Sequence, residues 1–230
     1  MLSVLFFIAL RQNSNTRMNP EVIKQIKNTP IGGNELVAML GSYRSATMKL
    51  TAMERAGEVV RLKRGLYVVD GGILGFPPSA PICSNHIYGP SYVSLQWALS
   101  FYGLIPERVH TLTAITLKRS RDFENKLGYF TYKQVPEDYY PIGITSAVSD
   151  GATFLIASPE KALCDTILND LYVPNLSVIA LHRYLEEDIR FDMDELGKMD
   201  VNILQACAEC GRKTSTINNL INIVKKYGNI

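Results

Sequence analysis

Residues 31–69 constrain the fold of this chain more than any other stretch, because the order of their elements is specific. Two short patterns of helical periodicity flank a turn at 41–42. Two runs rich in β-branched residues follow at 59–62 and 66–69, and Gly65 between them supplies the positive φ that a tight hairpin needs. The order of helix, turn, helix and basic hairpin predicts a winged helix-turn-helix.

The second helical pattern carries side chains suited to reading a major groove. Thr47, Thr51 and Arg55 recur at every fourth position, on a different face from the apolar residues that would pack on the first helix. Recognition helices present such short polar and basic side chains to the groove, starting at their N-terminus. The predicted DNA-contacting residues are Arg44, Ser45, Thr47, Thr51 and Arg55 in this helix and at its start, and Arg61, Lys63 and Arg64 in the hairpin, for phosphates or a minor groove.

Charge alone does not decide between DNA and protein as the partner of this module. From Met18 to Asp70 there are eight Lys and Arg against five acids, a modest net charge of +3. Winged helices also bind proteins, so a protein-binding adaptor whose winged helix contacts no DNA is the alternative. The basic residues lie at the helix start and the hairpin tip, and this placement favours DNA.

Composition divides the chain into four segments. Residues 1–17 open with a ten-residue apolar stretch interrupted by Ser3, too short to span a bilayer; we expect translation to start at Met18, with 1–17 an extension and the protein cytoplasmic. Residues 18–70 form the predicted winged helix, and the linker 71–81 is rich in glycine and proline. Residues 82–230 are predicted as an α+β domain with a mostly antiparallel sheet and a helical C-terminus.

Periodicity and breaker residues predict the elements of this larger domain. Ser158-Pro159-Glu160 is a strong helix start, with a serine cap, a proline at the first helical position and an acid in the first turn. The predicted helices lie at 82–88, 91–102, 158–169, 176–187, 201–208 and 214–227, and the predicted strands at 112–117, 128–135, 142–148 and 152–157.

Common enzyme motifs are missing from the sequence. It has no G-x-x-x-x-G-K-[ST] phosphate-binding loop, no G-x-G-x-x-G dinucleotide motif, no H-E-x-x-H zinc motif and no G-x-S-x-G nucleophile motif. Asp150, Glu160 and Lys161 are similar to part of a metal-dependent nuclease core. Adjacent residues at a helix start project about 100° apart, however, and could not share one metal-bound water. Glu160 would favour the helix N-terminus and Lys161 would pair with Asp165 at i, i+4. We therefore expect no enzymatic activity and no catalytic residue.

Metal or cofactor binding is not expected either. Cys207 and Cys210 have the spacing of half a zinc site, yet no second pair follows and the three histidines are scattered. Reduced thiols are therefore the expectation.

A second basic stretch contains Lys118, Arg119 and Arg121. It fits the solvated end of a hairpin, which requires no function. It also fits a second surface for nucleic acid, either DNA beside an operator or RNA. The sequence leaves both interpretations open.

Three stretches carry a family resemblance: residues 88–106, residues 113–123 with 128–132, and residues 157–165, which read Ala-Ser-Pro-Glu-Lys-Ala-Leu-Cys-Asp. With the predicted winged helix they resemble the AbiEi-type antitoxins, the antitoxin and repressor components of type IV abortive-infection toxin–antitoxin systems, over about residues 19–171. The resemblance implies a repressor that binds double-stranded DNA at its own promoter and counters a nucleotidyltransferase-like toxin without a stable complex. If the division into two domains near residues 70–81 is right, we expect the winged helix to repress and the larger domain to neutralise.

Overall fold

The structure of the chain, a computed structural model, describes residues 26–40, 45–171 and 173–228. The predicted extension 1–17 and the predicted DNA-contacting Arg44 lie outside the described residues. The first part contains β1 (Ile31–Gly32), α1 (Gly33–Leu40), α2 (Ala46–Arg55), β2 (Val59–Lys63) and β3 (Leu66–Val69). The larger part contains α3 (Gly71–Leu74), α4 (Ala80–Ile87), β4 (Ser91–Val93), α5 (Leu95–Phe101), β5 (Leu112–Thr116), β6 (Arg121–Asn125), β7 (Gly128–Gln134), β8 (Ile144–Ser149), β9 (Ala152–Ala157), α6 (Pro159–Asn169), α7 (Val178–Arg183), a π-helical turn (Tyr184–Asp188), a 3-10 helix (Met193–Lys198), α8 (Val201–Cys210) and α9 (Thr214–Gly228).

In the first part, two helices pack on a three-stranded antiparallel sheet of order β1-β3-β2. Ser45 starts α2, because its hydroxyl oxygen accepts a hydrogen bond from the amide of Met48. Gly57 and Gly65 have φ of +71° and +79°, the left-handed conformation that ends α2 and closes the β2–β3 turn. The apolar side chains enclosed between helices and sheet are those of Ile26, Ile31, Leu36, Val37, Leu50, Met53, Val59, Tyr67 and Val69.

The larger part is built on a six-stranded sheet of order β6-β7-β5-β4-β9-β8. Three of its five pairings are antiparallel, and β5–β7 and β4–β9 are parallel. Helix α6 packs against α5 and α8, and α8 and α9 pack together at the C-terminus. The predicted mixed α+β class, mostly antiparallel sheet and helical C-terminus are confirmed. Among the helices described, none is long and apolar enough to cross a membrane.

The predicted helix over 91–102 is wrong in its first part. Ser91–Val93 is strand β4, and the helix begins only at Leu95. Tyr92 is fully buried and pairs with Ile115 of β5, so pairing within the sheet outweighs the local helical spacing. The charged strand β6 was not predicted, and the helix expected over 176–187 is α7 followed by the π-helical turn.

The two sheets share their apolar interior through β2 and β3. Alternation along these strands sends Val59, Tyr67 and Val69 toward α1 and α2. The intervening residues Val60, Leu62 and Val68 join the core of the larger part. One small sheet therefore packs on both faces, and the described part of the first module is joined to the larger part by buried contacts in addition to the chain at 71–81.

Replacing Leu62 by alanine tests this sharing. Leu62 is 2% exposed, so we expect the free energy of unfolding to fall by about 2–5 kcal/mol, as for other buried leucines. Leu171, which is 93% exposed, is the matched control, and its alanine variant should change stability by less than about 0.5 kcal/mol. Urea unfolding followed by circular dichroism measures both, and equal stability of the two variants would contradict a shared core.

Candidate nucleic-acid interface

Helix α2 presents an exposed face that contains three of the predicted DNA-contacting residues. Thr47, Thr51 and Arg55 are all exposed on it. Met48 lies on the same face with 74% of its surface exposed, a high value for an apolar side chain. Sequence reasoning missed Met48, although its positions three before Thr51 and seven before Arg55 place it on this helix face.

Two hydroxyl groups of this face already have backbone partners. The Ser45 oxygen accepts from the Met48 amide at 3.4 Å, and the Thr51 hydroxyl donates to the carbonyl of Thr47 at 2.9 Å. Thr51 therefore offers its methyl group and an acceptor oxygen to a ligand. A threonine methyl group can contact the methyl group of thymine in a major groove.

The β2–β3 hairpin carries three more of the predicted residues, with Arg61 inside β2 and Lys63 and Arg64 at the tip. Arg61 and Arg64 are exposed, whereas Lys63 is half-buried. A bulge interrupts the register between Arg61 and Lys63. The ammonium group of Lys63 donates a hydrogen bond of 2.5 Å to the carbonyl of Ile87, the last residue of α4.

The second basic stretch reaches the same end of α4. The ammonium group of Lys118 donates to the carbonyl of Gly89 and lies 5.2 Å from the centroid of the Tyr88 ring. The Arg121 guanidinium lies 5.0 Å from the centroid of the Phe123 ring. The last carbonyls of a helix lack partners within it and carry partial negative charge, which explains why lysines collect there.

The structure thus brings the hairpin tip and the second basic stretch together into one surface. We call it the junction surface, and its members are Lys63, Lys118 and Arg121. Arg61, Arg64 and Arg119 are exposed on the same two segments of the chain. Burial, and then the charges of Lys118 and Arg121, lower the pKa of Lys63. Burial, and then the charge of Lys63, lower the pKa of the adjacent His86, which favours its neutral form. Sequence reasoning missed His86, and no local signal marks it.

The acidic residues of β6 lie on the opposite face of the strand from Arg121, because successive side chains of a strand alternate between its two faces. Arg121 and Phe123 are paired with Tyr132 and Phe130, on the face turned to the core. Asp122 and Glu124 project from the opposite face. None of the ion pairs formed among the described residues includes a member of the junction surface. A concentration of cations without paired carboxylates is suited to binding phosphate groups.

Lys161 and Asp165, predicted as an i, i+4 pair, are both fully buried, and their charged groups are 3.4 Å apart. The ammonium group also donates to the carbonyl of Tyr139 at 2.9 Å. Asp165 accepts hydrogen bonds from the hydroxyls of Ser94 at 2.6 Å, Tyr139 at 2.8 Å and Tyr92 at 3.2 Å. Burial raises the pKa of Asp165 and lowers that of Lys161. We call this arrangement the buried network.

Glu160 and Lys161 have different partners, although they are adjacent. One oxygen of Glu160 accepts from the Ser158 hydroxyl, and the other accepts from the amide of Asp200 at 3.0 Å. Lys161 instead belongs to the buried network. Both side chains stabilise the start of α6 and its packing.

Stability should fall in alkaline solution, because groups in the core resist ionisation. Burial raises the pKa of Cys83 to about 12, and burial with the charge of Asp165 raises the pKa of Tyr92 and Tyr139. In the unfolded chain thiols ionise near pH ~8.5 and phenols near ~10. A pKa raised by folding gives stability that is complete below the unfolded value and is lost as pH rises through the folded value.

Urea unfolding between pH 8 and 11 measures this effect. The free energy of unfolding should decrease with a slope of up to about 1.4 kcal/mol per pH unit for each group that ionises only in the unfolded chain. In the Tyr92→Phe variant the slope above pH ~10 should be smaller, since one such phenol is removed. A stability that stays constant over this range would contradict the burial of these groups.

The cysteines divide by exposure. Cys83, Cys164 and Cys207 are buried and Cys210 is exposed, and all four are free thiols. Over the described ranges, no group of three or more His, Cys, Asp or Glu side chains is placed to hold a metal ion.

Comparison with known proteins adds little to this picture. No family model matches the chain, and no curated protein does. Among solved structures, the chain is similar to the crystal structure of the RV2827C protein from Mycobacterium tuberculosis, with a TM-score of 0.47 and 10% sequence identity, over 91% of this chain and 83% of that one. So distant a likeness carries no argument about function.

Proposed function

We propose that this chain is a DNA-binding antitoxin and transcriptional autorepressor of a type IV abortive-infection toxin–antitoxin system, acting in the cytoplasm. The observation that carries the DNA-binding part is the junction surface, where Lys63 of the hairpin and Lys118 of the second basic stretch bind carbonyls two residues apart. The N-terminal module acts as a winged helix in this proposal. Its wing and the β6–β7 hairpin then contact one DNA duplex together.

The proposed contacts divide by chemistry. Helix α2 enters the major groove, where Arg44, Thr47 and Thr51 read base edges and Met48 contacts thymine methyl groups. The exposed Arg61, Arg64 and Arg119 contact phosphates, together with the partly engaged Lys63 and Lys118 of the junction surface. The sequence allows two interpretations of the second basic stretch, either a solvated hairpin end or a surface for nucleic acid. The proximity of Lys118 to Lys63 supports the second interpretation, with DNA as the ligand.

Footprinting on the DNA upstream of the chain's own gene tests the proposal. A protected site is expected at low salt, and absence of any protected site there would contradict DNA-binding repression. Replacing Arg44 should cost roughly 1–3 kcal/mol on the specific site and relax the preference at one base pair. Replacing Lys63 should weaken binding to all sequences alike and reduce the salt dependence.

The antitoxin part rests on the resemblance of three sequence stretches to AbiEi-type antitoxins. A downstream open reading frame with a nucleotidyltransferase pattern, G-S-x followed by D-x-D, would support it. Co-expression with that toxin should restore growth without a stable complex. Stoichiometric recovery of one protein in a pull-down, with no shift of any DNA, would favour a protein-binding adaptor instead.

Repression and neutralisation should be separable by substitution. A full-length variant with Arg44, Arg61, Lys63 and Arg64 changed to alanine should rescue cells from the toxin but not repress. Residues 82–230 alone are expected to rescue as well, although their removal from β2 and β3 uncovers core that Val60, Leu62 and Val68 otherwise cover. The substituted full-length protein is therefore the sharper test, and loss of rescue in it, with intact circular dichroism, would contradict the division of labour.

A further inference from the structure

The two edge strands of the six-stranded sheet differ in how they are covered. At one end, β6 lies against β2 of the small sheet, and the side-chain amide of Asn125 donates to the carbonyl of Leu62 at 3.2 Å. At the other end, β8 pairs with β9 and, among the described residues, with no other strand. An edge strand without a neighbour presents unpaired amide and carbonyl groups, which favour pairing with another strand.

Proteins commonly protect such an edge with charged side chains. Strand β6 has them: Arg121, Asp122 and Glu124. Strand β8 reads Ile-Thr-Ser-Ala-Val-Ser and carries no charge. Val148 on this strand is 69% exposed, and Leu155 on the neighbouring β9 is 46% exposed. The edge at β8 is therefore both uncharged and flanked by exposed apolar side chains.

We propose that β8 pairs antiparallel with β8 of a second copy of this chain, around a two-fold axis at Ser146. Residues directly opposite in an antiparallel pair lie on the same face of the sheet. With Ser146 on the axis, Ile144 of each copy faces Val148 of the other, so the same apolar pair forms twice. Thr145 faces Ala147 in the same way, on the other face. The two six-stranded sheets then continue into one.

A second copy fits this edge better than a charged partner does. Self-pairing brings no like charges together, because β8 has none. A basic or acidic strand would find no counter-charge on β8, and it would lose the two apolar pairs. A two-fold dimer also presents its N-terminal modules symmetrically, which matches an inverted repeat in DNA. The dimer itself does not depend on DNA binding.

Sedimentation velocity over a range of protein concentrations tests the pairing. A contact between two six-residue strands is small compared with standard interfaces, so the mass should double only as concentration rises. The Val148→Lys variant should stay monomeric throughout, since lysine would replace both apolar pairs. Tyr129→Lys is the matched control, an exposed residue on β7 near the other end of the sheet, and it should dimerise like the parent protein. A parent protein that is monomeric at all concentrations overturns the proposal.

A cysteine placed on the axis tests the register. In a Cys210→Ser background, which removes the exposed thiol, Ser146→Cys would face itself across the dimer. Opposite α-carbons in antiparallel strands are about 4.5–5.5 Å apart, within the range a disulfide spans. A mild thiol oxidant such as diamide, itself reduced to the hydrazine, should convert two such thiols into one intermolecular disulfide. Tyr129→Cys in the same background should form no intermolecular disulfide, because it lies away from the β8 edge, and equal cross-linking at both positions would overturn the register.

Neither test involves DNA. A dimer that binds no DNA would leave the β8 pairing standing and contradict the repressor. A protein that is monomeric at all concentrations but protects its promoter would contradict the β8 pairing and leave the repressor proposal standing. The two proposals can therefore fail separately.

Discussion

Replacing Asp165 by alanine should lower the free energy of unfolding by about 3–5 kcal/mol, the cost of breaking a buried ion pair. The change would leave the ammonium group of Lys161, which is fully buried, without a counter-charge. It would also remove the acceptor used by the hydroxyls of Tyr92, Ser94 and Tyr139. Urea unfolding at neutral pH measures the loss.

The exposed pair Arg183–Glu187 is the matched control, because it also links residues at i, i+4. Its double alanine variant should show no measurable loss, since surface ion pairs contribute little. Replacing Lys161 by methionine together with Asp165 by leucine should recover part of the loss seen in Asp165→Ala, as both charges are then removed. If Asp165→Ala were as stable as the control variant, the burial of the network would be contradicted.

Changing Lys118, Arg119 and Arg121 to alanine together should weaken DNA binding about tenfold or more at physiological salt. The plot of log K against log salt should also become shallower, by roughly 0.9 for each phosphate contact that is lost. The physical reason is the placement of Lys118 and Arg121 beside Lys63, on the junction surface, with the exposed Arg119 next to Lys118 in the chain. Fluorescence anisotropy with a duplex from the promoter, measured from low to physiological salt, gives both quantities.

A control with the same loss of net charge separates a local contact from a general charge effect. Arg212, Lys225 and Lys226 are exposed and lie at or on the C-terminal helices. Their triple alanine variant should bind DNA with the salt slope of the parent protein. An unchanged affinity in the Lys118, Arg119 and Arg121 variant would restrict the interface to the N-terminal module, and equal losses in both variants would leave net charge as the explanation.

Local sequence signals predicted several elements well. The strand over 152–157 and the helix that follows Ser158 are found where they were expected. Residues that favour strands, such as Thr, Phe and Ile, mark the strand, and a serine cap followed by proline marks the helix start. These signals operate within a few residues, so they do not depend on the rest of the fold.

Elements that depend on distant pairing were not predictable in this way. Tyr92 belongs to a strand because β5 and β9 lie on either side of it, and its local spacing suits a helix equally well. The charged sequence of β6 becomes a strand because Phe123 and Arg121 pair with β7. Local propensity is weak compared with the hydrogen bonds and burial that such pairing provides.

By itself, the sequence determined the α+β class, the helical C-terminus and the types of side chain available for binding. It also indicated the i, i+4 pairing of Lys161 and Asp165, but the burial of that pair depends on Tyr92, Ser94 and Tyr139, which approach from other elements. Only the tertiary structure decided that Lys63 and Lys118 lie together at the end of α4. Their proximity follows from the packing of β2 against α4 and β6, and contacts between residues so far apart in the chain leave no periodic pattern in the sequence.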